Sequence, residues 1–89
     1  MELKQVLINL VNIIEDEFGI TIVDVNMSLF SHNYSFSAMD VLYIIYLYSS
    51  KYGIKIKIKP YMSSYSPKEI AEWLMENGKE IPSRDSDIR

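Results

Sequence analysis

The chain contains three glycines, Gly19, Gly53 and Gly78, and each stands where an apolar stripe of helical spacing runs out. Glycine enters the left-handed conformation that closes helices at little steric cost, so this punctuation predicts three helices and their ends. Before Gly19, Leu3, Val6, Leu7, Leu10, Val11, Ile14 and Phe18 recur at steps of three and four, while Lys4, Gln5, Asn9, Asn12, Glu15 and Asp16 fill most of the other face. That is the pattern of a helix with one buried side. Before Gly53, Ser37 is a suitable N-cap and Asp40 suits the positive end of the helix dipole. Before Gly78, "SPKEIAEWLMEN" carries Ser66 as N-cap, Pro67 at the first helical position, Glu69 to complete a capping box, and Ile70, Trp73 and Leu74 as the buried stripe. Helices are therefore predicted over 3–18, 38–52 and 67–77.

The stretches between are less determined. "ITIVDV", 20–25, alternates partly and is β-branched, and "SHNYS" reads as turn. A loop this long in a small domain is usually functional or a distinctive fold element. "IKIKIK", 54–59, alternates strictly. It reads either as a strand, whose partner would be 20–25, or as an extended connector that tucks its isoleucines inward; the connector is the preferred reading. Residues 1–78 form one domain in this reading, and 79–89 a polar tail.

At 89 residues the chain has room for one small core, since a domain of this size buries only roughly 60% of its unfolded surface. It has no cysteine, which removes disulfides, thiolate metal sites and a cysteine nucleophile. Its net charge of −3 disfavours nucleic acid as a partner. The longest apolar run, "VLYIIYLY", is far short of the roughly 20 residues that span a bilayer. Glu2 stands where a signal peptide would carry positive charge, so a cytoplasmic location is expected. Catalytic chemistry is not legible. His32 is a lone loop histidine, Glu15, Asp16 and Glu17 are adjacent on a helix and point apart, and there is no glycine-rich phosphate loop. The expectation is a protein that is not an enzyme, with no catalytic residue and no metal.

Three pieces, "IIEDEFGITIVDVNMSLF", "KYGIKI" and "SPKEIAEWL", occur in an order and spacing that resembles the acyl and peptidyl carrier protein family over roughly residues 3–76. The resemblance implies an all-α bundle of three main helices with a long loop between the first two, and a short fourth helix near 61–65. Members of that family carry a 4'-phosphopantetheine arm on a serine that starts the second helix. Counting back from Tyr52 by the family's helix length reaches Ala38; counting forward from "SLF" reaches Ser37. The first register places Met39, Val41, Leu42, Ile45, Tyr48 and Tyr52 on core positions. The second places Asp40 and Lys51 there, and burying two unpaired charges costs on the order of several kcal/mol. One extra loop residue costs a fraction of 1 kcal/mol by about the logarithmic loop rule. The helix register favours Ala38 as the family's attachment position, with the attachment serine lost and no cofactor. Ser37 remains the candidate for a working arm, and Ser35, in "SFSAM", is a third.

On this reading Met39, Leu42, Ile45 and Tyr48 face the core. Tyr43, Tyr46 and Leu47 form a second stripe, with Asp40 on its solvent side. Tyrosine is enriched at interfaces, so Asp40, Tyr43, Tyr46 and Leu47 are candidate partner-binding residues, for a protein partner or a second copy. What the resemblance implies is an interaction module without an arm, acting with a dedicated partner in a biosynthetic or peptide-maturation pathway. The alternative is an acyl or aminoacyl carrier with the arm on Ser37.

Overall fold

The computed structural model describes residues 2–80. It is mostly helical: α1 spans Leu3–Phe18, α2 Ala38–Tyr52 and α3 Pro67–Asn77, and two short strands, β1 at Ile54–Ile56 and β2 at Gly78–Glu80, pair in antiparallel fashion. The three helices fall where the stripes and glycines predict them. Gly19 and Gly53 close α1 and α2 in the left-handed conformation, with φ of 66° and 64°.

Each later helix is capped by a serine. The Ser37 hydroxyl oxygen accepts from the Asp40 amide while the Asp40 carboxylate accepts from the Ser37 amide, a complete capping box. Ser66 accepts from the Glu69 amide in the same way. The Glu69 carboxylate, however, reaches past the cap: it accepts from the amides of Ser64 and Tyr65 and from the hydroxyls of Ser63 and Ser64. It therefore organises the turn that leads into α3.

The core joins Val6, Leu10, Ile13 and Ile14 of α1, Val41, Ile44, Ile45 and Tyr48 of α2, and Ile70, Ala71, Trp73 and Leu74 of α3, with Leu29 and Met62 from the connecting segments. Tyr48 is fully buried, and its hydroxyl is hydrogen-bonded by the Asn9 side chain.

Residues 19–37 contain neither helix nor strand. They are nevertheless pinned. Leu29 is fully buried, its amide donates to the Tyr65 carbonyl at 3.1 Å and its carbonyl accepts from Phe36. The Lys68 amide donates to the Val25 carbonyl, and the Tyr34 hydroxyl accepts from the Val23 amide.

Three expectations are corrected. Ile54–Ile56 is a strand rather than a connector, and its partner is Gly78–Glu80 rather than 20–25: Ile54 faces Glu80, Lys55 faces Lys79 and Ile56 faces Gly78. This ladder draws residues 79–80 of the expected tail into the fold; 81–89 lie outside the described residues. The pairing depends on Gly78, where a Cβ would meet Ile54 Cγ2 at 2.6 Å and the Leu74 carbonyl at 2.8 Å. No helix forms at 61–65. There Tyr65 has a positive φ of 54°, and the Glu69 carboxylate binds the Ser64 and Tyr65 amides in a turn. Finally, Met39 and Leu42 are outside the core, 72% and 40% exposed.

Candidate functional site

The reason for that last correction defines the site. α2 carries two apolar stripes of identical spacing. Val41, Ile44, Ile45 and Tyr48 form one; Met39, Leu42, Tyr43 and Tyr46 form the other. They are offset by two residues, about 200° around a helix, so they lie on opposite faces. The first stripe is buried and the second is exposed, with Tyr46 at 64%. Periodicity alone ranks the two equally. The distinguishing signal is side-chain shape: the buried stripe is mostly β-branched, the exposed one mostly unbranched or aromatic.

The candidates named from the sequence occupy different roles. Ser37 is exposed and is the N-cap; Ala38 is exposed and is the first helical residue. Ser35 has a positive φ of 55°, and its hydroxyl donates to the His32 carbonyl. Asp40 is half-buried and its carboxylate is engaged by the Ser37 amide, so its charge has a structural use. Tyr43 lies at the edge of the outer face. Its hydroxyl donates to the Glu17 carboxylate at 3.1 Å, which raises the phenol pKa, and its ring meets Phe18 edge-on. Leu47 does not belong to the outer face; it is half-buried and packs on the core. The outer face thus consists of Met39, Leu42 and Tyr46, flanked by Tyr43.

A cleft of about 230 Å³ opens beside the first turn of α2, and Phe30, Ala38, Leu42, Pro60 and Tyr65 are among its walls. The rings of Phe30 and Tyr65 are 5.2 Å apart. Sequence reasoning missed this cleft because its walls come from three segments that only the fold brings together. Its one local signal is "SLF", whose Phe30 remains 43% exposed beside the buried Leu29.

Among the described residues no group of His, Cys, Asp and Glu could hold a metal ion, and no helix is long and apolar enough to cross a membrane. His32 is exposed on the loop. Compared with protein-family models, with curated proteins and with solved structures, the chain matches none.

Proposed function

We propose that this chain is an interaction module of carrier-protein type that has no phosphopantetheine arm and binds a dedicated protein partner through the outer face of α2. The observation that carries this reading is the exposed stripe of Met39, Leu42 and Tyr46, which lies opposite a complete core stripe on the same helix. Contiguous apolar surface of this kind usually marks a contact site. Two further features support it. Alanine stands at the first helical position, where the family's serine begins the helix. The neighbouring Ser37 hydroxyl oxygen already accepts the Asp40 amide as a helix cap. The exposure of Ser37 is what favours the second reading, a carrier armed at that residue.

The test is the double substitution Met39→Glu/Tyr46→Glu, assayed by light scattering for self-association and by quantitative pull-down for a heterologous partner. The protein stays folded, because exposed substitutions typically change stability by about 0.5 kcal/mol or less, and the complex is lost. A folded double variant with undiminished association would refute the assignment of this face.

A further inference from the structure

We infer that the partner presents an acidic segment, anchored by one large apolar side chain in the cleft at the start of α2. The inference rests on the outer face of α2 being the docking surface, and it adds the chemistry of what docks.

Size is the first consideration. The cleft, at about 230 Å³, is smaller than the about 300–1,000 Å³ of pockets that enclose whole small molecules. It suits a single leucine or aromatic side chain. Its walls are Phe30, Ala38, Leu42, Pro60 and Tyr65, and the backbone bond from the Leu29 amide to the Tyr65 carbonyl ties two of the wall segments together. The anchor therefore enters a cleft that exists before binding.

Charge is the second. Lys59 also lines the cleft, and the segment leading to it, "KYGIKIKIK" at 51–59, holds four lysines and no acid. Lys51, Lys55, Lys57 and Lys59 are all exposed. These are four of the nine Lys and Arg residues of a chain whose net charge is −3. Lys51 stands at the far end of α2, so the lysines beside the cleft are Lys59, in its wall, and Lys57, two residues before it. Two acids lie near the cleft: Asp40, whose carboxylate accepts from the Ser37 amide, and Glu69, whose carboxylate accepts from the amides of Ser64 and of the wall residue Tyr65. Both keep their charge but are engaged by backbone amides, whereas Lys57 and Lys59 are exposed. Basic partners are repelled at this edge and acidic ones are drawn to it. Exposed Ile58 and Tyr61 beside the lysines would also suit an anionic bilayer. A flat bilayer surface, however, leaves a concave cleft unfilled, which favours a peptide.

The experiment uses the purified full chain as bait for a phage-displayed library of random dodecapeptides. The expected result is enrichment of sequences that combine Asp or Glu with Leu, Phe or Trp. An enriched sequence, synthesised with a fluorescein label and titrated by anisotropy, loses at least about tenfold in affinity with Lys57→Glu/Lys59→Glu and with Leu42→Asp, and weakens as salt rises. All three residues are exposed, and circular dichroism confirms that each variant is folded. Absence of enrichment, enrichment of basic or uncharged peptides, or affinity unmoved by the substitutions overturns the inference. So does co-sedimentation with phosphatidylserine-containing vesicles, but not with pure phosphatidylcholine, when no peptide is enriched; that pattern assigns the edge to a membrane. If association is lost in Met39→Glu/Tyr46→Glu yet the enriched peptides lack acids, the docking face stands and only the acidic chemistry falls.

Discussion

α2 and α3 are built alike at their ends and differently on their outer sides. Each begins at a serine cap with an acid at the third helical position and stops at a glycine. α3 buries Ile70, Ala71, Trp73 and Leu74 and turns Lys68, Glu72 and Glu76 to solvent, with Met75 the exception. α2 buries Val41, Ile44, Ile45 and Tyr48 and turns Met39, Leu42, Tyr43 and Tyr46 outward. One apolar face per helix is enough for this core. The second face on α2 lies outside that core, and the proposal of a protein partner rests on this difference.

The sharpest way to break the comparison is to truncate the two faces of α2 separately. Ile44→Ala, at a fully buried position, destabilises by about 2–5 kcal/mol in urea unfolding. Leu42→Ala stays within about 0.5–1 kcal/mol of the parent. Equal losses would show that the outer stripe is also core.

Next in size is the ladder that follows α3. Gly78→Ala forces its Cβ against Ile54 and the Leu74 carbonyl, and destabilises by about 1–3 kcal/mol. The β1 amides lose hydrogen-exchange protection with it. An unaffected ladder would mean that β2 does not depend on the close approach at Gly78.

The caps differ in what their acids do. Burial pushes the Glu69 pKa upward, but hydrogen bonds from Ser64, Ser63 and Tyr65 outweigh it and hold the pKa at about 2, below the ordinary 4.5. A depressed folded-state pKa adds stability above the ordinary value and loses it as pH falls from about 4.5 to about 2. Glu69→Gln should therefore destabilise at neutral pH, by an amount that solvent screening keeps modest, and the difference from the parent should shrink through that acid window. A difference independent of pH would show that the carboxylate charge is not what the turn recognises.

The smallest effect is expected at the α2 cap. Ser37→Ala removes one partner of the capping box and costs about 1 kcal/mol. An unchanged melting curve would show that Ser37 has no structural use, and would strengthen the reading of it as a modification site.

The helices, their caps and most of the core of α1 and α3 were legible in the sequence because they depend on local chemistry: a serine before a helix, a proline at its first position, one stripe per helix. The orientation of α2 was not, because two equivalent stripes leave periodicity without a preference. The Ile54–Ile56 strand escaped for a different reason. Its partner, Gly-Lys-Glu, has no strand propensity of its own, and the pairing arises where Gly78 lets the chain close on Ile54. The fourth helix was expected from resemblance and not from any stripe or cap; the side chain of Glu69 and the positive φ of Tyr65 make a turn there instead. Of the outer face, the sequence placed Tyr43 and Tyr46 outward, as they are; Ala38 was singled out only as the family's attachment position, and the Phe30–Tyr65 cleft exists only once the loop is folded against α2.

The central claim is that α2 presents a binding face and no prosthetic arm. Its most direct test is the intact mass of the purified chain after incubation with coenzyme A and a broad-specificity phosphopantetheinyl transferase, beside an established carrier domain as the positive control. The account predicts that the control gains one phosphopantetheine group while the mass of this chain is unchanged. A gain of one such group that disappears in Ser37→Ala would contradict it and make the chain a working carrier.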